Sequence, residues 1–160
     1  SNLLQGKRFT GVNQLWSSDI FYFSLQGRHY YGVLIMDVYS RRIIGWDARD
    51  RMKKDLAISA LHKAITIRRP APGLIQHTDR GSQYASYDYR KLLKAHDIVP
   101  SMSGKGNCYD NAMVETVFKT IKSELIWRTV FQTRNEAIRA IGDYIDGFYN
   151  PTRKHSALGY

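Results

Sequence analysis

Apolar and polar positions along the chain change period several times, and the changes mark out the elements. Leu15 to Leu25 gathers Trp16, Ile20, Phe21, Tyr22 and Phe23 into a run with strand character, with Asp19 in its middle. Gln26-Gly27-Arg28 turns the chain, His29 to Val38 resumes as a second strand, Ser40-Arg41-Arg42 turns again, and Ile43 to Ala48 makes a third. Short turns between three strands predict an antiparallel meander. From Lys54 to Arg68 the period becomes helical: Ala57, Leu61, Ala64, Ile65 and Arg68 share one face, and Pro70 stops the helix. Gly73 to Thr78 is a short fourth strand ending at Asp79, with Gly81 permitting a sharp exit. Ser86 caps a helix running to His96, and Ile98 to Ser101 is a fifth strand. Thr133-Arg-Asn-Glu136 is a capping box that starts a last helix, with Ile138, Ile141, Ile145 and Phe148 as its apolar stripe and Asn150-Pro151 as its end. The order β-β-β-α-β-α-β-α-α predicts a three-layer α/β domain with a mixed sheet.

Before that last helix, beyond a small-residue loop from Ser101, the stretch Asn107 to Leu125 also reads as a helix, with Asp110 or Asn111 as N-cap. Val114, Val117, Phe118, Ile121 and Leu125 form a stripe for the core. At 100° per residue, Glu115, Lys119 and Lys122 fall at about 0°, 40° and −20°, a second face beside that stripe, while Glu124 lies near 180° from Glu115. One carboxylate and two lysines are thus aimed together. Taken alone, this is equally the signature of a solvated face with charge pairing along the helix.

Composition narrows the partners. A chain of 160 residues suits one domain with a real core. Its formal charge of +10 is spread along the chain rather than held in a tail, which points to a polyanion, most simply nucleic acid. Cys108 is the only cysteine, so an intrachain disulfide and a CxxC zinc site are both excluded. No apolar run approaches the ~20 residues that span a bilayer, and no charged-then-apolar leader is seen.

Asp19 within an aromatic strand is costly unless it is paired or binds a metal. Asp79 ends a strand and Glu115 stands on a helix. A few carboxylates suffice to hold hard divalent cations, and phosphodiester chemistry uses ion pairs ~3.5–4 Å apart to stabilise the attacking and leaving oxygens. Periodicity does not bring these three acids together.

The segments Trp16-Ser-Ser-Asp-Ile20, His77-Thr-Asp-Arg-Gly-Ser-Gln-Tyr84 and Gly106-Asn-Cys-Tyr-Asp-Asn-Ala-Met-Val-Glu115 resemble bacterial insertion-sequence transposases of the OrfB type, whose catalytic core is similar to retroviral integrase. The 35 residues between Asp79 and Glu115 match that family's DD(35)E spacing. Asp37-Val-Tyr-Ser-Arg-Arg-Ile-Ile-Gly-Trp46 and the closing Tyr149-Asn-Pro-Thr-Arg-Lys-His-Ser-Ala-Leu-Gly-Tyr160 extend the likeness from Phe9 onward. The resemblance implies an RNase H-like fold with a five-stranded mixed sheet, in which Asp19 and Asp79 are neighbours and Glu115 completes a triad holding two Mg²⁺ or Mn²⁺ ions. It implies strand cleavage by activated water at an element end, then attack of the freed 3′-OH on target DNA in transposition. Lys119 and Lys122 match DNA-contacting lysines of the family, and Arg80 and Lys105 stand beside the site as further phosphate contacts. Self-association as a dimer or larger assembly, and a cytoplasmic, nucleoid-associated location in a bacterium, follow from the same resemblance.

Three departures qualify it. Phe21 stands where the family usually has threonine, which bears on packing rather than on a ligand. The family's N-terminal helix-turn-helix region and the short segment after the closing Leu-Gly-Tyr are absent. The chain therefore reads as a single catalytic core over 1–160, with 1–12 an extended lead-in and 150–160 a basic tail. The alternative is a degenerate core of the same fold that tethers DNA or a partner without chemistry. Among other polar groups, Asp110 reads as a cap, Asp37 and Asp47 as structural or surface groups, and His77 as a satisfied structural histidine.

Overall fold

The computed structural model describes residues 9–50, 53–79, 81–102, 112–128 and 133–152. Five strands, β1 (Leu15–Leu25), β2 (Arg28–Asp37), β3 (Ile43–Arg49), β4 (Ile75–Thr78) and β5 (Val99–Met102), form one sheet in the order β3-β2-β1-β4-β5. The first three are antiparallel neighbours, whereas β4 runs parallel to β1 and β5 parallel to β4. Gln26 and Gly27 both take positive φ, 48° and 79°, the backbone that a two-residue hairpin needs to match the strand twist.

Alternation along β1 divides the core. Leu15, Phe21, Phe23 and Leu25 face a layer made by α4 (Ala112–Arg128), α5 (Arg134–Gly142) and a π-helical segment (Asp143–Tyr149). Trp16 faces the other layer, made by α1 (Lys53–Arg68), the single turn α2 (Ser82–Ala85) and α3 (Tyr87–Ala95). The stripe read from α4 packs as expected: Val114, Phe118, Ile121 and Leu125 are buried and Val117 lies against them. On α1 the buried face is wider than periodicity gave, adding Leu56 and Ala60, because the helix lies close on β3. A Cβ at Gly45 would come within 2.5 Å of the Ala60 carbonyl oxygen.

Phe21 explains its own departure from the family pattern. It is the cross-strand partner of Gly32, and a Cβ at Gly32 would sit 2.0 Å from Phe21 Cζ. The ring occupies the space that the missing side chain leaves and stacks on Phe23.

Two caps are as read. Ser86 Oγ accepts from Tyr89 N, and Thr133 Oγ accepts from Glu136 N. The C-terminal helix corrects the reading in two ways. A turn of π-helix from Asp143 shifts the helical register, so Tyr144 and Ile145 are buried and Phe148 is exposed instead of completing the stripe. Nor does Asn150-Pro151 end the helical path, which continues to Thr152. Asn150 is instead a clamp on β3: its Oδ1 accepts from Ile43 N at 2.9 Å and its Nδ2 donates to Ile43 O at 3.0 Å. With Tyr149 Oη donating to Arg41 O and an Arg134 Nη donating to Ala48 O, this arm covers the outer edge of the sheet. The short α2 was not anticipated, since four residues carry no period.

Candidate active site

Asp19 has the parity of Leu15 and Phe21, so it stands on the α4 side of the sheet, paired across to buried Leu34. Its Oδ1 accepts from Ile20 N at 2.9 Å. Its Oδ2 lies 2.8 Å from Lys122 Nζ, with both side chains about a third exposed. The helix face read from the sequence is therefore turned toward β1, and a lysine ammonium sits where a cation would meet this carboxylate. At that exposure the pair adds at most ~1 kcal/mol to stability.

Asp79 lies one residue beyond β4, held by Gly81 N, which donates to its Oδ1 at 2.7 Å. The parallel register runs Leu15 with Ile75, Trp16 with Gln76 and Ser17 with His77. Asp19 lies two residues beyond Ser17, and Asp79 lies two beyond His77, just past the end of β4, so the register leads both acids toward the same end of the β1/β4 pair. The Tyr84 hydroxyl is pushed well above 10 by burial, then by Tyr89, and then by the negative charges of Asp79 and Asp19.

Glu115 is exposed in the first described turn of α4, two turns before Lys122 on the same face, or about 10 Å along the axis. Among the described residues, no three of His, Cys, Asp and Glu are gathered closely enough to hold a metal ion. The structure sets Asp19 on β1 and Asp79 just past the end of its parallel neighbour β4, with Lys122 on Asp19 and Glu115 on the same helix as that lysine. Lys119 is exposed on the same stretch of helix. Arg80, Lys105, Cys108, Asp110 and Asn111 lie outside the described residues.

The remaining polar groups serve the fold. Asp37 is fully buried, and its carboxylate takes Asn13 N, Tyr39 N and Arg68 Nη1, the last at 2.9 Å. Asp47 pairs with Arg49 and Lys63. His77 Nδ1 is 2.9 Å from Ser101 Oγ on β5, and burial lowers its pKa. Glu124, opposite Glu115 on the helix, takes the Tyr144 hydroxyl. Sequence reasoning singled out neither Tyr84 nor the Lys122–Asp19 pairing. Tyr84's only signal was its place at the end of the His77–Tyr84 motif, and a partner across 103 residues leaves no periodic trace.

Comparison with known proteins identifies the family. A family model described as an integrase core domain matches residues 10–108, and a second of the same description matches 96–160. The transposase for insertion sequence element IS904 of Lactococcus lactis is 43% identical over 151 residues, covering 94% of this chain and 60% of that protein. Transposase InsF for insertion sequence IS3A of Escherichia coli is 41% identical over 159 residues, covering 99% and 55%. An uncharacterized 31 kDa protein of insertion element IS600 from Shigella sonnei is 45% identical over 150 residues, covering 94% and 55%. The chain thus spans little more than half the length of these curated relatives. Among solved structures, a simian T-cell lymphotropic virus intasome in complex with PP2A regulatory subunit B56 gamma contains a chain that superposes with a TM-score of 0.70 at 22% identity, over 89% of this chain and 51% of that one. The HTLV-2 integrase catalytic core domain in complex with magnesium gives 0.61 at 18% identity, over 82% and 84%. At such identities the likeness speaks for the fold, which is RNase H-like.

Proposed function

The chain belongs to the integrase core domain family, and we propose that it is the catalytic core of an insertion-sequence transposase, a DDE polynucleotidyl transferase acting on DNA. The observation that supports this reading is the parallel pairing of β1, which carries Asp19 in its middle, with β4, which leads directly to Asp79, with a cationic group already seated on Asp19. Hard carboxylates on neighbouring strands suit Mg²⁺ or Mn²⁺, which take oxygen ligands and need no His or Cys. Asp19, Asp79 and Glu115 are the residues that would hold two such ions. When bound, the ions supply a lowered pKa for water and charge stabilisation at the scissile phosphate.

The chain's own side chains account for the rest. Gly81 N fixes one oxygen of Asp79. Lys122 neutralises Asp19 in the resting protein, and on release from it joins Lys119 as a point charge for phosphate. Arg80 and Lys105 are further phosphate contacts in this reading. The reaction opens one phosphodiester with water, freeing a 3′-OH, and then exchanges a target phosphodiester for a new one. The substrates are element ends and target duplex in a bacterial cytoplasm, and the working form is a dimer or larger assembly.

Duplex DNA with a free 3′-OH end, incubated with the chain and Mn²⁺, tests the proposal. Joined product is expected from the native sequence, with a loss of about 10²-fold or more in Asp79→Asn and in Glu115→Gln. Joining that survives both substitutions contradicts the assignment, and DNA binding without any joining supports the degenerate module instead.

A further inference from the structure

At the edge of the sheet formed by β5, between that strand and the outer face of α3, lies an open groove of about 890 Å³. Its floor is apolar: Leu93 and Ile98 are buried beneath it, and Val99, 40% exposed, and Pro100 line it from the strand. Its rim is one face of α3. At 100° per residue, Tyr87, Lys91 and Lys94 fall at about 0°, 40° and −20°, and Arg90 at about −60°. All four are exposed, Tyr87 by 75%, while Tyr89 on the opposite face is buried. Asp88 is drawn away to Lys54 on α1 at 3.4 Å. Among the described residues, Asp97 is the only carboxylate in the lining, and Arg90, Lys91 and Lys94 form no ion pair. Three cations and a projecting ring thus stand over an apolar floor.

A peptide adding itself to the sheet edge is a poor fit. Val99 N donates inward to Leu74 O, so the next residue faces outward, and Pro100 has no N–H to offer there. A duplex would meet the cations, but its bases are already stacked on one another and present no free face to Tyr87. A single strand uses every part, since its bases stack on aromatic rings while its phosphates meet positive charge. We propose that this groove binds a single DNA strand, with Tyr87 stacked on a base and Arg90, Lys91 and Lys94 on the phosphates. The choice of DNA as the polyanion rests on the reading of the chain as a transposase core. Neither Asp19 nor Asp79 lines the groove, so binding there needs no metal.

Fluorescence anisotropy of a labelled oligothymidylate of about ten nucleotides, titrated with the 160-residue chain in chelator, tests the proposal. Tyr87→Ala is expected to weaken oligonucleotide binding about tenfold and to change the affinity for a duplex of the same length less than roughly twofold. Its melting temperature is expected to match the native one, because the ring is exposed. Lys94→Gln is expected to lower the slope of log K against log salt by about 0.7. Native affinity in Tyr87→Ala with a native salt slope in Lys94→Gln overturns the proposal, as does a native chain that leaves the oligonucleotide free. Equal losses on oligonucleotide and duplex also overturn it, since the groove would then be a general phosphate contact. Polyglutamate of matching charge is the competitor for charge alone: displacement at the same concentration as unlabelled oligothymidylate overturns the proposal, and displacement only at far higher concentration supports it. Strand joining by Asp79→Asn, measured alongside, keeps the two readings apart. If joining survives that substitution while Tyr87→Ala has lost the oligonucleotide, the metal-ligand reading falls and the groove stands. If joining is abolished while Tyr87→Ala binds like the native chain, the groove alone falls.

Discussion

Asp19 and Asp37 show two carboxylate environments in one small protein. The Asp19–Lys122 pair is a third exposed and exchangeable, whereas Asp37 is sealed, with Arg68 and backbone donors on its oxygens. Removing Arg68 leaves a buried charge unpaired, so Arg68→Ala is expected to lose about 3–5 kcal/mol in denaturant unfolding. A loss below about 1 kcal/mol would show that water reaches Asp37. Glu115→Gln, by contrast, changes an exposed group off the apolar stripe. Its melting temperature is expected to stay within a few degrees of native, while strand joining is lost. A large fall in melting temperature would mean that Glu115 supports the fold. The sequence showed that Asp19 needed a partner, because a carboxylate in an aromatic strand is costly. It could not show which partner, since ion pairing across distant segments follows from tertiary register alone.

Among the elements, β1 and α4 were the most legible. Alternation on β1 and the stripe on α4 each identify a buried side, and together they fix which face Asp19 and Lys122 share. The π-helical segment was illegible, because the α-helical period that placed Phe148 in the core fails once an extra residue enters the turn. Asn150 was read as a helix end from its proline neighbour, yet its amide serves as a surrogate strand for β3. Asn150→Ala is expected to cost about 1–3 kcal/mol by leaving buried Ile43 groups unpaired, read as a shift in denaturant midpoint at constant slope. The Phe21–Gly32 contact gives a paired test. Gly32→Ala is expected to destabilise by about 1–3 kcal/mol, and restoring the family's threonine at position 21 is expected to recover most of that. Equal losses with and without the Phe21→Thr change would remove the steric account.

Across the whole molecule, a charge of +10, with Lys122 beside Asp19 and Lys119 exposed on the same helix, predicts that duplex binding by the proposed core is salt-sensitive. Lys119→Ala and Lys122→Ala are each expected to weaken duplex binding and to reduce the slope of log K against log salt by about 1. An unchanged slope would exclude that lysine as a phosphate contact. Among the described residues no helix is long and apolar enough to cross a membrane. The strand order β3-β2-β1-β4-β5 makes neighbours of the strand that carries Asp19 and the strand that leads to Asp79, 60 residues further on, an outcome that spacing alone could not establish. A lysine ammonium two turns along the helix from Glu115 occupies Asp19. Anomalous diffraction from crystals soaked in Mn²⁺ tests the central claim most directly. The account predicts manganese peaks bridging Asp19 and Asp79, with Lys122 displaced and Glu115 drawn in. Manganese bound elsewhere, with Lys122 still seated on Asp19, would contradict it.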